Sequence, residues 1–275
     1  IVFGDWSSDV CSSDLLAWRL AAELDHVPAA WTLWIDARNG RLLGMEDALH
    51  HARMPALTGT VRGMCSKPPG GDSTTNPPQA LPLPGVLVNV PGVGQAYTDA
   101  QGMFTIPYTG TAPVNATLSL AVGRFWSALT DSSGTPVQVL NVPLDPAAPA
   151  ALLFNPSPSE YLTAQVNGVK WVTETHDYIK RVVPTMTAID QPIRVRVNYN
   201  NSCNAFYSGD QVTFYRKAGN CYNTASASVV AHEYGHYVDA RNGGIGSTPR
   251  TPSEGIADAV SIFLHLSTVR SAEYG

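Results

Sequence analysis

The rhythm of apolar and polar positions changes along this chain, and the changes divide it. Trp31 to Ile35 reads as a strand, and Arg38-Asn39-Gly40-Arg41 places an Asn-Gly turn before Leu42-Leu43, a hairpin signal. Between residues 57 and 145, "LTGTVRG", "LPGVLVNVPG", "GQAYTDAQGMFTIPY" and "ATLSLAVG" alternate with period two. Gly, Pro, Asn and Asp punctuate them, which is the pattern of a small β-sandwich. The turn Asp99-Ala100-Gln101-Gly102 joins two of these strands. "KPPGGDSTTNPPQALPLPG" is a long insertion that reads as an ordered surface loop or disorder rather than as an element. Pro143, Pro146, Pro149, Pro156 and Pro158 then crowd the chain, and 146–159 reads as a linker because that density opposes helix and sheet pairing.

From residue 160 the period lengthens. "YLTAQVNGVKWVTETHDYIKRVV" sets Val169, Val172, His176, Ile179 and Val183 on one helical stripe that stops before Pro184. "IRVRVNY" is a strand. "ASASVVAHEYGHYVDARNGG" predicts a helix stopped by Gly243-Gly244, and "TPSEGIADAVSIFLHL" another, entered through Thr251-Pro252-Ser253.

Composition narrows the picture. A chain of 275 residues has room for two or three small domains. Its 14% charged residues, 23 Gly and 21 Pro suit a turn-rich, largely β protein. A net charge of −5 provides no basic footprint for nucleic acid, and no apolar run approaches the roughly 18 residues of a membrane span. The opening "DWSSDVCSSDL", within residues 1–15, has no period and no turn logic. It resembles the conceptual translation of a sequencing adaptor and is set apart as non-native. Removing Asp5, Asp9 and Asp14 from the 22 acidic residues leaves 19 against 17 basic ones, so most of the apparent acidity goes with it. Cys11 goes too, leaving Cys65, Cys203 and Cys221. Cys203 and Cys221 flank "NAFYSGDQVTFYRKAGN", two short strands around a Ser-Gly-Asp turn. A hairpin brings its ends together, so a Cys203–Cys221 disulfide is expected, and with it an oxidising, extracellular location. Two separate buried thiols are the other reading. Cys65 has no evident partner.

The chemistry is concentrated in "VVAHEYGHYVDARN". His232 and His236 lie one helical turn apart, so both imidazoles leave one face and can reach a single ion. Glu233 directly follows the first histidine, where it can accept a proton from water activated by that ion. Two nitrogens and a carboxylate would suit zinc and leave a fourth position for water.

The arrangement His232-Glu233-x-x-His236 followed by Glu254 and Asp258 resembles the gluzincin metallopeptidases, the thermolysin-like group, over roughly residues 160–270. In that group the helix after the motif supplies a glutamate, which makes Glu254 the third zinc ligand. His₂Glu is the thermolysin set, so this assignment comes from the resemblance. Asp258, four residues later on the same face, is placed to receive the free ring N–H of a ligand histidine. The group also binds substrate backbone on an Asn-Ala-aromatic edge strand, which Asn204 and Ala205 match. Asn204 also reads as a plain turn residue.

Two further resemblances lie upstream. "LAWRL…WTLWIDARNGRLL" resembles the end of the PepSY-like propeptide domain found ahead of thermolysin-like and fungalysin-like peptidases. "LPGVLVNV" with "QAYTDAQGMFTIPY" resembles the carboxypeptidase-regulatory-like (transthyretin-like) module. The expected protein is thus multidomain α+β: a propeptide remnant at 16–56, a β-sandwich at 57–145, the linker at 146–159, and from 160 to 275 the N-terminal lobe of a thermolysin-like catalytic domain.

The function these resemblances imply is a secreted zinc endopeptidase made as a precursor. It would act on peptides or proteins with Glu233 as general base, and its own propeptide would inhibit it. The alternatives are a non-catalytic surface or binding protein with a relic helix, and a zinc amidohydrolase that is not a peptidase. Intact Glu233 argues against the first, and the Asn204-Ala205 strand against the second. After Glu254 only His265, Arg270 and Tyr274 could donate to a transition-state oxyanion. The chain is therefore expected to bind zinc but to cleave poorly, with Ile262, Phe263 and Leu266 left without a partner lobe. His176, Trp126 and Trp171 read as core residues. His26, His50 and His51 fall in the propeptide-like part, where His50-His51 reads as a solvated loop.

Overall fold

The computed structural model describes residues 17–23, 30–47, 55–68, 70–244 and 253–273. The adaptor-like segment with Cys11, and His26, His50, His51, Thr251, Pro252 and Tyr274, lie outside the described residues. The chain forms two compact units, Ile1–Met54 and Pro55–Gly275. Its architecture is mixed α+β.

The first unit contains an antiparallel sheet of β1 (Ala17–Glu23), β2 (Ala30–Asp36) and β3 (Leu42–Asp47), in that order. The Asn-Gly turn behaves as its residues predict. Asp36 accepts from the Arg38 amide at 2.9 Å and from Asn39 Nδ2 at 3.1 Å. Gly40 takes a left-handed φ of +71° that other residues resist.

The second unit begins with β4 (Ala56–Cys65), β5 (Gln79–Pro82), β6 (Val86–Val90), β7 (Gly94–Tyr97), β8 (Met103–Pro107) and β9 (Val114–Gly123). It continues through β10 (Trp126–Asp131), β11 (Val139–Leu144) and β12 (Ala150–Phe154) to the helix α1 (Glu160–Val182). A 3₁₀ turn at Thr187–Ile189 precedes β13 (Ile193–Tyr199), β14 (Ala205–Tyr207) and β15 (Gln211–Tyr215). The helices α2 (Ala227–Arg241) and α3 (Ser253–Glu273) follow.

These strands make three sheets. One has the order β11-β9-β6-β7; a second is built on β4, with β12, β5 and β8 as its neighbours; the third has the order β10-β13-β15-β14. The period-two pattern is realised in β4, whose Leu57, Val61 and Cys65 are fully buried. The Asp99–Gly102 turn carries the chain from one sheet to another, because β7 pairs with β6 whereas β8 pairs with β4. The Pro/Gly insertion is an ordered loop pinned by Asn76 Nδ2, which donates to the carbonyls of Lys67, Gly70 and Gly71. Its end, expected to be irregular, forms β5 against β4.

Two further expectations meet a different structure. The segment read as a linker contains β12, which pairs in parallel with Gly59–Gly63 of β4. Pro149 and Pro156 bracket this strand without entering it, so each pairing N–H survives. β10, within the segment read as a sandwich, leaves the other strands to pair in parallel with β13. Residues 57–145, 146–159 and 160 onward lie within one compact unit.

The helix α1 ties the unit together. Ser159 caps it by accepting from the Leu162 amide, and Lys180 and Arg181 in its last turn suit the carbonyl end of the helix dipole. Val169, Val172 and Ile179 are buried as the stripe predicts, while Val183 is exposed. Buried polar side chains on α1 link distant segments. Asn167 accepts from the Ser66 amide at 3.0 Å and donates to the Ala225 carbonyl at 2.7 Å. Gln165 Nε2 reaches Asp131 Oδ2 at 2.8 Å. Trp126 and Trp171 are core residues. His176 is also buried, stacked on Phe125 at 3.5 Å between ring centroids, with Asp177 and Asp190 on its two nitrogens.

Candidate metal centre

The motif helix is fixed before its chemistry begins. Tyr234 and Tyr237 lie on the buried side of α2, and the Tyr237 hydroxyl donates to the Gln191 carbonyl at 2.8 Å. This leaves His232 and His236 on the side facing α3, with ring centroids 4.9 Å apart. The two helices meet closely at Gly235, where an added Cβ would lie 2.6 Å from the Ala257 Cα. Only glycine permits that approach. Glu254 and Asp258 flank Ala257 on α3 and so are carried to the two histidines.

His232 Nδ1 lies 2.9 Å from Asp258 Oδ1, and His236 Nδ1 lies 2.9 Å from the Ser253 hydroxyl. Their Nε2 atoms face one oxygen, Glu254 Oε2, at 3.2 and 3.6 Å. The ligand atoms of His232, His236 and Glu254 all lie within 4.8 Å of one another. Once Nδ1–H of His232 is donated to Asp258, the neutral ring presents a lone pair at Nε2. A lone pair facing a carboxylate oxygen is repulsive unless a proton or a cation lies between them. Three such donors around one point, each histidine held at its other nitrogen, fit a divalent zinc ion. The Glu254 and Asp258 side chains are 76% and 67% exposed, so packing does not fix them; their partners must.

Glu233 is 5% exposed. Burial raises its pKa to about 7; the negative charge of Glu254 raises it too, while His232 and the Tyr207 amide pull it back. It lines a cleft of about 670 Å³ with His232, His236, Glu254 and Asn204 to Tyr207. The sequence-predicted Asn204 and Ala205 therefore reach the same space as the motif. β14 is the edge of its sheet, antiparallel to β15, with the Ser208-Gly209-Asp210 turn between them. Cys203 and Cys221 close that hairpin as a disulfide, with Cα atoms 5.2 Å apart. Cys65 is buried and free.

His265 sits farther along α3 and does not line the cleft. Four residues escaped the sequence reading in these roles. Ser253 was read only as a helix entry, yet it meets His236. Gly235 and Ala257 are a small-residue pair whose signal is the close helix crossing. Asp239 lies one turn beyond His236 and was not singled out, although it lines the cleft.

Residues 149–239 match the family described as thermolysin metallopeptidase, catalytic domain. The matched segment runs from β12 through the two histidines and Glu233, and ends before Ser253, Glu254 and Asp258. No curated protein matches the chain. The matched domain is that of a zinc metallopeptidase, which agrees with zinc as the cofactor and supports a peptidase-type hydrolase acting on peptides. Among the described residues, no helix is long and apolar enough to cross a membrane.

Proposed function

We propose that this chain carries the zinc-binding residues of an endopeptidase active site, with His232, His236 and Glu254 as ligands and Glu233 as general base. The observation that carries this reading is the meeting of two Nε2 atoms from α2 at one Glu254 oxygen from α3. When bound, zinc supplies the Lewis acidity that makes water nucleophilic near neutral pH and polarises a peptide carbonyl. Glu233, buried on the cleft wall beside His232, takes the proton from the attacking water and returns it to the departing amine nitrogen. Asp258 and Ser253 hold the imidazoles in orientation. The edge strand β14, beginning just after Asn204, receives an extended peptide through main-chain hydrogen bonds, without regard to its side chains.

The Cys203–Cys221 bridge supports a secreted enzyme, because such bonds persist in oxidising compartments. The sheet of β1 to β3 is assigned to a propeptide remnant and inhibitor on its hairpin sequence, and the strands of 57–145 to a carboxypeptidase-regulatory-like module. The test is elemental analysis joined to peptide hydrolysis. One zinc per chain is expected, with Glu254→Ala losing most zinc affinity and Glu233→Gln retaining zinc without turnover. Full zinc affinity in Glu254→Ala would overturn the ligand set.

A further inference from the structure

The cleft contains a carboxylate that the proposed reaction does not use. Asp239 is one turn past His236 on α2, lines the cleft, and is only 8% exposed. Among the described residues its carboxylate has no hydrogen bond or ion pair. The nearest candidates in sequence are committed elsewhere. Arg241 donates to Asp210 at 2.7 Å, and its guanidinium lies 5.3 Å from the centre of the Tyr237 ring. Both nitrogens of His236 face Ser253 and Glu254.

The charges around the cleft make this notable. Among the described residues its lining includes Glu233, Glu254 and Asp239 but no lysine or arginine. A divalent cation at the three ligands would balance Glu233 and Glu254 and leave Asp239 uncompensated. Asp239 lines the cleft without a cationic partner among the described residues, so a cation that arrives with a ligand gains a charge-paired contact there. Asp239 follows His236 by three residues, roughly 4.5 Å along the helix axis. An extended peptide advances roughly 3.3 Å per residue. A side chain paired with Asp239 would therefore belong to a residue within one or two positions of the bond at the metal.

We propose that Asp239 makes the cleft select peptides carrying a lysine or arginine side chain close to the scissile bond. The inference rests on the endopeptidase reading above and adds a substrate class to it. Binding alone tests it. The zinc-loaded Glu233→Gln chain keeps peptides intact, so fluorescent octapeptides can be compared in pairs that differ by lysine or norleucine at one position. At one or two positions lysine should bind about tenfold more tightly, and the advantage should shrink at high salt. Adding Asp239→Asn should erase the advantage while zinc content and norleucine-peptide affinity hold; Asp239→Glu should keep part of it. Equal affinity within every pair, or a lysine preference that survives Asp239→Asn or is insensitive to salt, would overturn the inference alone. A chain that binds no zinc, or binds zinc and no peptide, would overturn the endopeptidase reading and this inference with it.

Discussion

Arg241, the last residue of the motif helix, donates to Asp210 at 2.7 Å, and Asp210 is the residue that turns the chain from β14 into β15. The Tyr207 hydroxyl donates to the same carboxylate at 3.1 Å. One carboxylate thus joins the helix bearing His232 and His236 to the edge strand that also lines the cleft. Both partners are partly exposed, so the pair should add under about 1 kcal/mol to stability. Its effect should fall on cleft geometry. Arg241→Ala is expected to raise KM severalfold with kcat nearly unchanged, and steady-state kinetics separate the two.

Gly235 makes a sharper prediction. A Cβ at 2.6 Å from the Ala257 Cα cannot be accommodated unless α3 moves, and α3 carries Glu254 and Asp258. Gly235→Val should keep helical content and lose zinc affinity by about tenfold or more, as when supporting partners of a metal site are disturbed. Competition with a chromophoric zinc chelator would measure it. Unchanged affinity would show that Glu254 is not held by this helix contact.

Much of this site was legible in the sequence, because its chemistry depends on residue types at helical spacing. His232, Glu233 and His236 require only one turn of helix to converge. Glu254 and Asp258 needed a resemblance, since the distance between two helices is not written in either one. Ser253 and Asp239 were missed for another reason: a serine at a helix start and an aspartate near a helix end are unremarkable until a neighbour is known. The hairpin of β14 and β15 was visible because its turn and both strands are contiguous. β10 and β12 were misplaced because their partners, β13 and β4, are distant in sequence. Parallel pairing leaves no turn signal. Pro149 and Pro156 were counted as breakers where they only mark the limits of a strand.

Cys65 should reveal its burial through alkaline pH. Desolvation pushes its thiol pKa from 9.0 up to about 11. A group whose folded pKa is raised leaves stability intact below the unfolded value, and stability falls as pH climbs from about 9 to about 11. The loss should reach about 2–3 kcal/mol. Urea unfolding at pH 8 and pH 11 should show that slope reduced by this amount in Cys65→Ala, whatever the baseline cost of the smaller side chain. At pH 8 the native thiol should also resist alkylating reagents that modify it in urea.

The disulfide closes a loop with a sequence separation of 18 residues. Loop-closure entropy puts its contribution at about 3 kcal/mol. Cys203→Ser with Cys221→Ser should lower the unfolding free energy by that order. Peptide binding should weaken with it, because β14 lies directly after Cys203. Chemical denaturation and a binding isotherm on the same sample would check both effects.

The amide of Asn167 connects Ser66 on one side with Ala225 on the other, just ahead of the motif helix. This contact makes the first strand of the second unit part of what supports the site. A cut downstream of Pro55 that released the β4 segment would take Ser66 away and leave Asn167 with a buried, unanswered carbonyl. It would also strip Val61 and Cys65 from the core they share with Val166 and Val169. Losing the β4 segment would therefore loosen α1 and, through Ala225, the approach to α2, so strands far from the cleft in sequence belong to the scaffold that holds His232 and His236 in place.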